Sequence, residues 1–121
     1  IRQYDISDPH NPKLTGQVWM GGLLEKAPEV NGVKVTGGPQ MIQLSLDGKR
    51  LYVTTSLFST WDNQFYPHQE GGQMVMANVG EDGSFALDPD FYIDFPENTR
   101  AHQIRLEGGD CSTDSFCYPS V

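Results

Sequence analysis

The side chains in this sequence that could ligate a metal or act as nucleophiles are three histidines, His10, His68 and His102, and two cysteines, Cys111 and Cys117. Imidazole and thiolate are both good ligands for transition metals, and a thiolate also meets sulfur and selenium species readily. His10 sits in Asp8-Pro9-His10-Asn11-Pro12, a proline-rich turn that favours an exposed, purely structural side chain. His68 directly follows the aromatic run Trp61-Asp62-Asn63-Gln64-Phe65-Tyr66-Pro67. His102 opens Ala101-His102-Gln103-Ile104-Arg105, which reads as the start of a strand over residues 101–106. Taken alone it is either a ligand or a histidine satisfied by its own surroundings. Cys111 lies in the turn Gly108-Gly109-Asp110-Cys111, as a soft ligand, a reactive thiol or a small buried hydrophobe. Asp110 and Asp114 flank it, and a carboxylate commonly orients a ligating imidazole by accepting its free N–H; one of them is a candidate to do so for His102. Arg105 lies two residues past Gln103, placed to pair with an acid, and solvated surface charge is the competing reading for all three. Two cysteines are too few for a disulfide framework, and there is no second pair for a structural zinc site. A Cys111–Cys117 disulfide stays open at this point.

The elements that must position these groups are short strands. Helical periodicity is nearly absent, while β-branched or alternating runs recur between Gly, Pro, Asn and Asp clusters, which specifies an all-β chain. Residues 41–46 and 50–55 flank Asp47-Gly48, a hairpin whose turn residues tolerate positive φ. Residues 74–79 and 84–87 flank Glu81-Asp82-Gly83 with the same logic, and further strands are expected at 1–6, 17–20 and 91–95. The connections over 21–39 and 56–72 exceed the usual two to six residues or so, a length that goes with function. Strands at this spacing suit a sandwich or the blades of a β-propeller, of which 121 residues would supply about two. Two blades cannot close a ring, so such a piece alone would expose faces meant to be buried. The opening Ile1, with no Met before it, reads as a start inside a longer protein.

The net charge of −8 repels nucleic-acid phosphates, and no stretch reaches the roughly 18 apolar residues of a membrane span. Nucleic acid and a membrane span are therefore not expected.

Longer matches carry more. Arg2-Gln3-Tyr4-Asp5-Ile6-Ser7-Asp8-Pro9 with Leu14-Thr15-Gly16-Gln17, the run from Gly37-Gly38-Pro39-Gln40 through Arg50-Leu51-Tyr52, the Trp61 to Pro67 segment and Gly108-Gly109-Asp110-Cys111-Ser112 resemble motifs of the selenium-binding protein/methanethiol oxidase family from end to end of the chain. The resemblance implies a propeller of about seven blades closed by this C-terminal part, residues 1–121 forming two or so of them within a single domain. It also implies oxidation of methanethiol with O2 and water to formaldehyde, hydrogen sulfide and hydrogen peroxide, with copper held by histidines from several segments. One of those segments resembles Ala101-His102-Gln103-Ile104-Arg105, which makes His102 the expected copper ligand, its co-ligands lying outside this sequence. Trp61, Phe65 and Tyr66 then either pack a blade edge or line an apolar pocket for a small thiol. Arg105 would pair with an acid or position an oxygen intermediate. The alternative function is a non-catalytic propeller that captures selenium or sulfur species or presents loops to a protein. The selenium-attachment cysteine of animal members belongs to a segment absent here, and Cys117 with its neighbours departs from the family's ending. The compartment would be periplasmic in a bacterial member and cytoplasmic in a eukaryotic one.

Overall fold

The computed structural model describes residues 1–24, 26, 28–55, 58–67, 71–102 and 104. Its centre is a four-stranded antiparallel sheet in simple sequential order, formed by β5 (Pro39–Leu44), β6 (Arg50–Thr55), β7 (Gln73–Val79) and β8 (Phe85–Asp94). Two smaller antiparallel pairs precede it: β1 (Arg2–Asp5) with β2 (Lys13–Gln17), and β3 (Glu29–Val30) with β4 (Val33–Lys34). One short helix, α1 (Ser59–Phe65), lies between β6 and β7.

Both Asp-Gly hairpins form where the sequence placed them. Between β5 and β6, Gly48 sits at φ +69° and the Asp47 carboxylate accepts the Ser45 hydroxyl and the Lys49 N–H. Between β7 and β8, Gly83 sits at φ +81°, its N–H donates to the Gly80 carbonyl (3.0 Å), and the Asp82 carboxylate accepts the Ser84 N–H (2.9 Å). These bonds hold both carboxyls below the ordinary carboxylate range, the Ser45 hydroxyl acting first on Asp47 and Ser84 on Asp82.

Other expectations are corrected. The strand expected at 17–20 lies earlier, as β2: Leu14 pairs with Tyr4, while Val18 and Met20 turn inward as buried loop residues. Residues 84–87 and 91–95 belong to one strand, β8, interrupted by a bulge. There the register jumps from Val75↔Tyr92 to Ala77↔Leu87, expelling residues 88–90. The Asp88 carboxylate organises that bulge by accepting the N–H groups of Asp90 and Phe91 and the Asn78 amide. The two long connections are not structureless: 21–39 contains the β3–β4 hairpin and 56–72 contains α1. The strand expected over 101–106 does not form at Ala101, His102 or Ile104. The all-β expectation holds, the described residues making one four-stranded antiparallel sheet and two antiparallel strand pairs.

One sheet face carries Leu51, Val53, Val75, Ala77, Leu87 and Tyr92, which the pairing register and the two-residue strand period place together. Met20, Val30 and Val35 cover it, and Val30, Val35, Val53 and Val75 are completely buried. Burying each such side chain stabilises the fold by about 1.5–3 kcal/mol. The opposite face carries Met41, Tyr52, Thr54, Met74, Met76, Phe91 and Ile93 by the same register. Tyr52 and Phe91 meet edge to face there, with centroids 5.5 Å apart. Thr54 is wholly buried, and its hydroxyl has no hydrogen-bond partner among the described residues.

Candidate functional site

The candidate site lies at the end of the sheet where β6 finishes and β5 and β7 begin. Its first component is α1. Phe58 stands at the helix N-cap in an extended conformation and has no hydroxyl or carboxylate to cap the first turn. Asp62 supplies the missing acceptor: its buried carboxylate receives the Phe58 N–H (3.0 Å), a reach back across the first turn like that of a capping box. The Asp62 carbonyl accepts the Tyr66 N–H (2.7 Å) and ends the helix. Trp61 and Phe65, four residues apart, therefore share one helix face, their rings 6.2 Å apart, and both are exposed (64% and 48%). Gln40, Phe58, Trp61 and Asp62 line a recess of about 290 Å³. That is close to the lower end, about 300 Å³, of typical small-molecule sites, with aromatic walls and a carboxamide and carboxylate as polar groups.

The second component holds this recess in place. Gln73, buried at the start of β7, accepts the Thr36 N–H at its carbonyl (2.8 Å), donates its amide to the Tyr92 hydroxyl (3.0 Å), and donates its backbone N–H to the Thr55 hydroxyl (3.0 Å). This pins the 35–38 segment to the sheet. Burial first, and then the neighbouring Asp94 carboxylate, push the Tyr92 hydroxyl above its ordinary range. The pinned segment meets Gly21 and Gly22 from the other side: the Gly22 N–H donates to the Gly37 carbonyl (2.7 Å), and a Cβ on Gly21 would lie 2.2 Å from that same oxygen. Next along, the Tyr66 hydroxyl rests on the bare Cα of Gly38, where a Cβ would approach to 2.8 Å.

Trp61, Phe65 and Tyr66 are thus brought onto one short helix and its end. Only Trp61 of the three lines the recess; Tyr66 turns toward Gly38 instead. His102 emerges at the same sheet end, because Gly72 donates to the Thr99 carbonyl and accepts the Phe95 N–H, folding residues 95–101 back beside the start of β7. Its side chain is exposed. Among the described residues no group of three or more His, Cys, Asp or Glu side chains could hold a metal. His10 is exposed in its turn, with its N–H on the Asp8 carboxylate, as its proline-rich setting requires. His68, Arg105, Asp110, Cys111, Asp114 and Cys117 lie outside the described residues. No described helix is long and apolar enough to cross a membrane.

Phe58, Gln40 and Asp62 also line the recess, and the histidines and cysteines of the sequence do not point to them. The available signal was Asp62, an acid in an aromatic run preceded by Ser59-Thr60, a spacing that begins a helix more readily than a strand.

Comparison with known proteins follows the same residues. The family model described as "56kDa selenium binding protein (SBP56)" matches residues 1–117. The chain belongs to this family. Within it, the chain is 51% identical to a protein of Xenopus tropicalis named methanethiol oxidase, across 94% of this chain and 29% of that one. It is 47% identical to selenium-binding protein 1 of Arabidopsis thaliana, across 94% of this chain and 28% of that one. The chain therefore spans less than a third of the length of these relatives. The crystal structure of a hypothetical selenium-binding protein from Sulfolobus tokodaii superposes with a TM-score of 0.83 at 53% identity, covering 98% of this chain and 26% of that one.

Proposed function

We propose that this chain is part of a methanethiol oxidase, in which methanethiol, O2 and water give formaldehyde, hydrogen sulfide and hydrogen peroxide. The observation that carries the proposal is the similarity to relatives named methanethiol oxidase, 49–51% identity across 94% of this chain. The four-stranded sheet serves as one blade of a propeller completed by the rest of the protein, residues 1–121 contributing its C-terminal part.

The described residues do not fit a complete copper site: His102 offers one exposed imidazole and no other ligand-type cluster accompanies it. Copper, where present, supplies the one-electron and O2 chemistry, and His102 would be one of several ligands, the others lying beyond these residues. The chain's own contribution is positional. The recess beside Trp61 and Phe58 offers apolar surface to a methyl group, and the Thr36 N–H on the Gln73 side chain ties the segment leading into β5 to the start of β7 at that end of the sheet.

Full-length protein supplied with copper and methanethiol is expected to release peroxide and sulfide. His102→Ala should lower both copper content and turnover, and Trp61→Ala should raise KM more than it lowers kcat. Copper content and turnover both unchanged in His102→Ala would overturn the ligand assignment. Absence of peroxide and sulfide with the copper-loaded parent would favour the second reading, a propeller that binds selenium or sulfur species without turnover, which the names of the Arabidopsis relatives support.

A further inference from the structure

We propose that Asn31 is a site of spontaneous deamidation, and that its isoaspartyl product releases the β3–β4 hairpin from the core. Asn31 and Gly32 form the two-residue turn between Val30 and Val33, at φ +52° and +72°, the paired positive values of a type I′ turn. Both residues are exposed, and nothing lies within 4 Å of the position a Gly32 Cβ would take. The Gly32 N–H has no bond among the described residues.

The reaction needs no enzyme. Solvent base removes the Gly32 amide proton; that nitrogen bonds to Asn31 Cγ, the Cγ–Nδ2 bond breaks, and the side-chain nitrogen leaves as ammonia. Water then opens the resulting succinimide at either carbonyl, leaving aspartate or an isoaspartate whose main chain runs through Cγ. The sum is one water consumed and one ammonia released. The type I′ turn that the two positive φ values identify fixes ψ of its first residue, so the step waits on rotation about ψ of Asn31. That rotation moves Gly32 and Val33, both exposed, and is resisted by only two residue pairs, Glu29↔Lys34 and Val30↔Val33. It leaves the Asn31 N–H on the Pro89 carbonyl (2.6 Å) undisturbed.

The other four asparagines lack this combination. Asn11 precedes Pro12, which has no N–H. Asn63 is held in α1. The N–H after Asn78, on Val79, donates to the Lys49 carbonyl (2.8 Å), and the N–H after Asn98, on Thr99, donates to the Pro96 carbonyl (2.9 Å). The consequence at residue 31 is structural. An isoaspartate adds a main-chain atom to a turn that closes with two residues, whereas an ordinary aspartate tolerates the left-handed conformation and keeps it. The strained hairpin carries Val30 and leads into Val35, both completely buried in the core.

The test ages full-length protein in mildly alkaline buffer beside a denatured control, followed by trypsin digestion and mass spectrometry of the peptide 27–34. The folded protein is expected to gain about 1 Da on that peptide, at a rate within about tenfold of the denatured control. No gain in the folded protein while the control converts, or earlier gain at residues 63, 78 or 98, overturns the site. The isoaspartyl fraction, isolated by chromatography, is expected to melt several degrees below the parent while Asn31→Asp melts with it. An isoaspartyl fraction that melts with the parent overturns the structural consequence.

Discussion

Gly21 and Gly22 are neighbours with the same left-handed backbone, yet replacing each by alanine should have very different effects. Both sit at positive φ, +50° and +73°, so Ala at either position meets a strain of about 1–2 kcal/mol. Around Gly22 nothing lies within 4 Å of the added methyl, and strain is the whole cost. At Gly21 the methyl would lie 2.2 Å from the Gly37 carbonyl oxygen and 3.2 Å from the Thr36 carbonyl carbon. Those are main-chain atoms, so no rotamer change relieves the clash and the 36–37 segment must move. Moving it breaks the Gly22 N–H bond to Gly37 and loosens the Thr36 N–H bond to Gln73, each contributing about 1 kcal/mol. Gly21→Ala should therefore cost about 3–4 kcal/mol locally against about 1–2 for Gly22→Ala. The assay is amide hydrogen exchange on full-length protein, which reads local opening without requiring a two-state melt. Protection of the residue 22 and 36 amides should fall by about 30-fold more in Gly21→Ala than in Gly22→Ala. Equal losses in the two variants would refute the reasoning, since they would show that backbone strain alone governs this corner and that the Gly37 contact is unimportant.

Thr54→Val should stabilise the protein by about 1 kcal/mol, because it removes a buried hydroxyl with no partner at almost unchanged shape; a loss in the denaturant midpoint would show that the hydroxyl is satisfied elsewhere in the full protein. Tyr92 keeps its proton longer in the folded state than in the unfolded one, so its contribution is complete below about pH 10 and is lost as pH rises through the raised value. Tyr92→Phe should flatten that alkaline fall in melting temperature while costing about 1 kcal/mol at neutral pH, where the Gln73 amide loses its acceptor. Asp88 is held below the ordinary carboxylate range, first by the Asn78 amide, so its contribution is present at neutral pH and is lost as pH falls below about 4. A melting series for Asp88→Asn should be flatter than the parent's in acid; identical acid limbs would show that the bulge does not depend on that charge.

The sheet was legible wherever turn chemistry and strand pattern agreed. Asp47-Gly48 and Asp82-Gly83 each stand between runs long enough to show alternation, and both hairpins formed there. Asn31-Gly32 carries an equally strong turn signal, but its flanks pair over only two residues each, too few for a period to appear. The bulge was hidden for a different reason: Asp88-Pro89-Asp90 looks like a break between strands, and only the pairing of both flanks with β7 makes them one. Helix α1 escaped because Trp61 and Phe65 also suit a strand, while the cap that selects a helix comes from Asp62 inside it. At the site, residue types pointed to His102 and the Trp61 segment, and the fold brings both to one end of the sheet. Gln40 and Phe58 have no chemistry to advertise; they enter the recess through tertiary placement alone.

The interruption in β8 has a consequence for how the molecule behaves in a crowd. Among the described residues β8 is the last strand of its sheet, and an unbroken ten-residue edge would present a ladder on which another chain could pair. Expelling residues 88–90 divides that edge into two short stretches set out of line with each other. Pro89 offers no donor, Asp88 and Asp90 place negative charge where an incoming strand would dock, and the Pro89 carbonyl is already taken by Asn31. The kink that shapes the outer strand thereby makes it a poor template for aggregation.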